Sequence, residues 1–185
     1  MGYALAAAAL RAGARVVLIS GPTALRPPAG ARLLRVETAE QMRRATLREA
    51  KHADLVVMAA AVADFRPAAP ARRKIKKRDG GMILHLAPTP DILAELGRRR
   101  RPGQILVGFA AETHDLLRHA REKLFRKSLD FIAANRVGRP GSGFESPYNR
   151  ATLLDREGGV RTFPLLRKEA LARRLMRIFL DAHAC

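Results

Sequence analysis

Leu55-Val56-Val57-Met58-Ala59-Ala60 places six apolar residues in succession, three of them from the strand-favouring Val and Leu. A half-exposed strand would alternate apolar and polar positions. An unbroken run is expected where a strand is covered on both faces, as in a parallel sheet between two helical layers. Segments on either side repeat the choice. Upstream, Val16-Val17-Leu18-Ile19 reads as a buried strand that stops at the turn signal Ser20-Gly21-Pro22, and Leu33-Leu34-Arg35-Val36 as a shorter one. Downstream, Ile105-Leu106-Val107-Gly108-Phe109 and Leu129–Ala133 read the same way.

Helical windows fill the intervals. Residues 2–12 are rich in Ala and Leu and closed by Gly13. Thr38 and Gln41 form a capping-box pattern that opens a helix to about Ala53. Thr89-Pro90-Asp91 reads as a helix start, with Thr89 as cap, proline in the first turn and an acid against the dipole. Thr113 is expected to cap a helix running to about Lys127, and a last helix starts near Leu166 with the apolar stripe Leu171, Leu175, Ile178 and Phe179. Arg66–Gly81 reads as loop, Met82–Leu86 as a short strand, Gly138–Pro147 as loop, and Ala151–Asp155 with Val160–Phe163 as a hairpin around Gly158-Gly159. The order predicts an α/β fold: a doubly wound, mainly parallel sheet with a C-terminal β-hairpin and helix, in one domain over residues 1–185. Such sheets bind ligands beyond the carboxyl ends of their strands, which selects Ala61–Asp64, Ala110–Thr113 and Asn135 onward. The chain opens in a helix, where a doubly wound domain usually opens in a strand.

Composition narrows the function. A 48% hydrophobic content excludes a disordered tail, the lone Cys185 excludes an internal disulfide, and no apolar run is long enough to span a bilayer. Met1–Leu5 lacks the basic region of a signal peptide, so a soluble, cytoplasmic protein is expected, without a membrane partner. Lys and Arg number 35 against 17 Asp and Glu, a net charge of +18 that attracts anions. Nucleic acid is disfavoured among them, because aromatics are only 5% and Trp is absent, leaving little to stack on bases.

Three constellations remain. Ala59-Ala60-Ala61-Val62-Ala63-Asp64-Phe65-Arg66-Pro67 runs off a central strand, with small residues that admit a ligand to the backbone and an acid to grip a hydroxyl or amine. The alternative is that the alanines pack under a helix and Asp64 caps a turn. Arg72-Arg73-Lys74-Ile75-Lys76-Lys77-Arg78 sets six cations in seven positions, matched by a triphosphate, by a nucleic-acid backbone or by solvent alone. Lys123 and Lys127 stack on one helical face, a like-charge spacing that costs about 0.2–0.5 kcal/mol unless an anion lies between them. There is no G-x-G-x-x-G, P-loop or G-x-S-x-G pattern, and the five histidines lack metal-ligand spacing, so a protein-only transition-metal site is not expected.

Taken together, Ala59–Pro67, Lys74-Ile75-Lys76-Lys77, Thr89-Pro90-Asp91-Ile92-Leu93, Val107-Gly108-Phe109-Ala110-Ala111-Glu112-Thr113 and Ala134-Asn135 resemble phosphopantothenoylcysteine synthetase, the ligase half of the bacterial bifunctional coenzyme A biosynthesis flavoprotein. The resemblance covers the whole chain and implies a Rossmann-like fold. It also implies the coupling of 4′-phosphopantothenate to L-cysteine at the expense of CTP, with Mg2+, in a homodimer. By motif, Met58, Ala59, Ala60 and Asp64 would line the cytidine nucleotide site, and Lys74 would be catalytic, neutralising phosphate charge as an acyl-cytidylate forms. Pro90, Asp91, Ile92 and Leu93 would offer a helix N-terminus to the nucleotide, Phe109 would pack near the base, and Lys123 and Lys127 would meet the triphosphate. Ala61 and Asn135 would contact substrate. The Mg2+ ligands are left open.

The chain also departs from the family. The resemblance implies a strand and a Gly/Ser-rich loop, with an Asn for the acyl-cytidylate, ahead of the position of Met1-Gly2, and the sequence is expected to lack them. It likewise implies that FMN belongs to a decarboxylase half outside this chain, a possible partner. The usual Asn-Asp pair is Asn135-Arg136 here, and Pro147 stands where an acid is expected next to Ser146. Two other readings stay open: a basic nucleic-acid-binding module, and an inactive fragment that keeps the fold.

Overall fold

Thr38 and Gln41 form the reciprocal cap that their spacing predicts. Gln41 N–H donates to Thr38 Oγ1 at 3.1 Å, while Gln41 Oε1 accepts from the Thr38 and Glu37 N–H groups at 3.1 and 2.7 Å. The computed structural model describes residues 1–71, 73–77, 80–136 and 146–183. Arg72, Arg78, most of the predicted 138–147 loop and Cys185 lie outside the described residues.

In chain order the elements are α1 (Gly2–Arg11), β1 (Val17–Ser20), β2 (Arg32–Arg35), α2 (Ala39–Ala50), β3 (Leu55–Met58), β4 (Phe65–Pro67) and β5 (Leu86–Pro88). There follow α3 (Ile92–Arg99), β6 (Ile105–Glu112), α4 (Leu116–Arg126), β7 (Phe131–Arg136), β8 (Tyr148–Asn149), β9 (Thr152–Asp155), β10 (Val160–Thr162), β11 (Leu166–Arg167) and α5 (Lys168–His183). Strands β3, β6 and β7 run parallel, and the predicted hairpin β9–β10 continues that sheet antiparallel to β7.

Side chains alternate across this sheet and so make two cores. Val107, Phe131, Ala133 and Leu153 point to the face covered by α1 and α5, where they meet Leu5, Ala9, Leu171, Leu175 and Phe179. Leu106, Ile132, Ala134 and Leu154 point to the other face, against Ile92 and Leu96 of α3 and Ala120 and Leu124 of α4. The continuous apolar runs of the central strands are thus explained residue by residue. Among the described residues no helix is long and apolar enough to cross a membrane.

The sheet departs from the prediction in one respect. It is parallel-rich but lies in two pieces, β2-β1 and β10-β9-β7-β6-β3. The unpaired edges of β1 and β3 line one cavity of about 1060 Å3, together with residues of α1 and α2. Leu55–Met58, expected to be covered on both faces, are therefore only half-buried, and Val17 keeps 39% of its surface exposed.

Smaller corrections concern boundaries. Asp91, not Thr89, caps α3: its Oδ1 accepts from Ala94 N–H at 3.0 Å, and Thr89 N–H donates instead to the Asp64 carbonyl at 2.8 Å. Pro90 precedes the helix, where the residue before it, Thr89, is biased toward extended backbone. Asp115, at φ 43°, occupies the cap position of α4, and Thr113 Oγ1 bonds His114 Nδ1 at 2.9 Å instead. Met82–Leu84 form no strand and stand exposed; the strand is Leu86–Pro88, paired with Phe65–Pro67.

Candidate functional site

Three parallel strands finish at one edge, and the predicted motifs finish with them. Met58 is in register with Gly108, and Ala111 with Asn135. Beyond β3 the chain crosses Ala59, half-buried, and then Ala60, Ala61, Ala63 and Asp64, all exposed. Ala59 lies near Gly2, whose position would bring a Cβ within 3.9 Å of the Ala59 methyl. The bond from Thr89 N–H to the Asp64 carbonyl, with the Phe65↔Pro88 pairing, ties this small-residue segment to the lead-in of α3. Two motifs well apart in sequence are thus neighbours at the strand ends.

Asp91 is the hinge between α3 and α4. Its Oδ1 caps α3 while its Oδ2 meets Lys127 Nζ at 2.8 Å. Partial burial pushes the Asp91 carboxyl up, but the Lys127 ammonium and the Ala94 N–H outweigh it and hold the group below its ordinary value. Gly97 makes the approach possible, because a Cβ there would run into the Lys127 carbonyl. Lys123 Nζ bonds Glu112 Oε1 at 2.6 Å, and the other oxygen of Glu112 lies 3.3 Å from His119 Nδ1. The two lysines that share a helical face are thus each matched by a carboxylate of the protein. Helical spacing could not reveal these partners, which come from the N-terminus of α3 and the end of β6.

Other predicted residues stay separate. Arg73, Lys74, Lys76 and Lys77 are exposed, and no bond or ion pair joins Lys74 to the strand ends among the described residues. Phe109 is half-buried against the α1/α5 core, and Leu93 packs on the opposite one, close to Gly108. Asn135 is half-buried near the end of β7. The edge therefore offers exposed backbone and the exposed carboxylate of Asp64, with the basic loop following in sequence and no nucleophile among the residues singled out. This set can orient an anionic substrate and offset its charge.

Sequence spacing also missed a group. His114, Asp115 and His119, beyond β6, bring one ligand atom each within 4.8 Å of one another. The signal was the four-residue step from Asp115 to His119, completed by a turn that folds His114 back.

Residues 1–182 match the family described as DNA/pantothenate metabolism flavoprotein C-terminal domain. The coenzyme A biosynthesis bifunctional protein CoaBC of Bacillus subtilis is 49% identical over 169 residues, covering 91% of this chain and 41% of that protein. The chain thus spans less than half the length of this relative. The crystal structure of the C-terminal domain of a CoaBC protein superposes with a TM-score of 0.80 at 35% identity, over 100% of this chain and 83% of that one. A mutant of Cab2 in complex with phosphopantothenate-cysteine shares the fold, with a TM-score of 0.66 at 22% identity over 84% of this chain and 53% of that one. With sequence and fold in agreement along nearly its whole length, the chain belongs to the DNA/pantothenate metabolism flavoprotein C-terminal domain family, as its motifs led us to expect.

Proposed function

We propose that this chain is a ligase of coenzyme A biosynthesis, joining 4′-phosphopantothenate to L-cysteine with CTP as the energy source. The observation that carries the reading is the shared strand edge: Met58–Asp64 run off β3 beside Phe109–Glu112 at the end of β6 and Asn135 near the end of β7, three adjacent parallel strands. Ligands of doubly wound sheets bind at such an edge. Family membership and the phosphopantothenate-cysteine bound by Cab2 support the choice of substrate.

The reaction needs no nucleophile from the protein. The phosphopantothenate carboxylate attacks the α-phosphorus of CTP and pyrophosphate leaves, giving an acyl-cytidylate. The cysteine amine then attacks the acyl carbonyl, loses a proton and expels CMP. The protein orients the reactants and offsets developing charge. Met58, Ala59, Ala60 and Asp64 hold the nucleotide, and Lys74 neutralises charge on the reacting phosphate. Lys123 and Lys127 reach the triphosphate by exchanging Glu112 and Asp91 for phosphate oxygens. Pro90–Leu93 and Phe109 shape the nucleotide side, and Ala61 and Asn135 the substrate side. The donor set suits Mg2+ bound through phosphates, because Asp64 offers an exposed carboxylate and Mg2+ otherwise keeps water and nucleotide oxygens. Mg2+ would supply charge neutralisation on the phosphates.

Exposed Phe65, Ile75, Met82, Ile83 and Leu86 on and around the β4–β5 ribbon fit a homodimer in which a second copy covers them. The setting is the cytoplasm, and a flavin-containing decarboxylase is the fitting partner. Two measurements test the reading. Melting temperature should rise more with Mg2+ and CTP than with Mg2+ and ATP or GTP. Lys74→Gln should cut phosphopantothenate-dependent pyrophosphate release by at least about a hundredfold while CTP binding falls less. Equal shifts with all three nucleotides remove the cytidine assignment; a variant active within a few fold makes Lys74 a surface cation.

A further inference from the structure

We propose that His114, Asp115 and His119 form a site for one borderline divalent metal ion of the Zn2+, Co2+ or Ni2+ class. Their three ligand atoms lie within 4.8 Å of one another. Atoms that share an ion at about 2.0–2.2 Å sit roughly 3–4 Å apart, so small rotations of His114 and Asp115, both exposed, close the set. Two imidazoles and one carboxylate suit these ions and distinguish the site from an all-oxygen Mg2+ site.

The surroundings already orient the rings. His114 Nδ1 bonds Thr113 Oγ1 at 2.9 Å, and His119 Nδ1 faces Glu112 Oε2 at 3.3 Å. With Nδ1 engaged on both rings, the metal would take Nε2 of each, that of His119 once Arg118 has moved away, and the Glu112–His119 pair is the carboxylate–histidine arrangement found behind metal ligands. The ring centroids stand 5.1 Å apart, nearly perpendicular. A cation already rests among the ligands: Arg118 Nη2 donates to Asp115 Oδ2 at 3.0 Å and lies 3.3 Å from His119 Nε2. Arg118 is on the surface and can swing out. The bound ion would pin the β6–α4 turn onto the first turn of α4, with open positions for water or an anion. This site is independent of the ligase reading.

The test uses metal-free protein titrated with Co2+, followed by visible absorption, and with Zn2+, followed by calorimetry. One equivalent should bind, and His114→Ala and His119→Ala should each weaken binding by about tenfold or more. His52→Ala, an exposed histidine elsewhere, should leave it unchanged. Arg118→Gln should tighten binding several-fold, because the competing cation is gone; a role confined to surface hydrogen bonding would not produce that gain. Full binding by both histidine variants, no binding at millimolar metal, or unchanged or weaker binding by Arg118→Gln overturns the proposal.

Discussion

Glu95 shows what a single side chain can decide. Buried on α3, it accepts from Arg43 at both oxygens, Nε to Oε2 at 2.6 Å and Nη2 to Oε1 at 2.8 Å, and pairs with Arg99 at 2.8 Å. The Arg43 hydrogen bonds hold its carboxyl below the ordinary value, against burial. A carboxyl whose folded-state pKa is depressed adds stability that is fully present above the unfolded value, about 4.3, and fades as pH falls through the lower folded one. Glu95→Gln should therefore lower the urea midpoint at pH 7, with the gap to the parent narrowing as pH drops from about 5 to 3. A constant gap across that range would make the contact one of shape alone. At this scale residue types were legible and partners were not. The small-residue run, the basic loop and Asn135 could be picked out by sight, whereas Glu95–Arg43, Asp91–Lys127 and Glu112–Lys123 join segments whose proximity only the fold creates.

At the scale of elements, hydrophobic pattern located every central strand, pattern and capping signals together located the five helices of the described residues, and mainly their ends were missed. Thr89-Pro90-Asp91 contains two residues able to cap, and the choice fell to Asp91 because Thr89 is held by the Asp64 carbonyl across the β4–β5 ribbon. Thr113 lost the start of α4 to Asp115 for a similar reason: its hydroxyl is used by His114. Helix contacts leave their own mark in glycine. A methyl at Gly97 would meet the Lys127 carbonyl and carbon, which are backbone and cannot rotate away. Gly97→Ala should accordingly cost about 1–3 kcal/mol, despite the better helix propensity of alanine, and lower the melting temperature. If the variant melts at or above the parent, α3 and α4 are not held that closely.

The whole molecule is defined by the interval between its two sheet pieces. Alternation of strands and helices was enough to predict a parallel-rich fold; the gap between β1 and β3 was not visible in periodicity, because Leu55–Met58 read as buried whatever lies beside them. Only the helical opening of the chain and the resemblance pointed there. Among the described residues neither facing edge of these apolar strands pairs with a further strand, an arrangement that favours pairing with added chain. A chain in which an extended apolar strand and a Gly/Ser-rich loop precede Met1 should melt several degrees higher and form more phosphopantothenoylcysteine per pyrophosphate released. Side-by-side melting and product assays decide it; equal values for the two chains would mean that the cavity is no seat for a strand.

The exposed basic loop has a consequence for how the protein comes apart. Arg73, Lys74, Lys76 and Lys77 are four trypsin targets crowded into five residues of an exposed segment outside helix and strand, whereas half of the other exposed arginines among the described residues lie on helices that a protease cannot thread. Brief digestion should nick there first. The nick falls between β3 and β6, strands that pair in parallel from Leu55↔Ile105 to Met58↔Gly108, with the Arg43–Glu95 bridge also spanning it. The two fragments should therefore co-elute as one particle of parental size and separate only in denaturant, making this loop a natural place to split the chain into halves that reassemble.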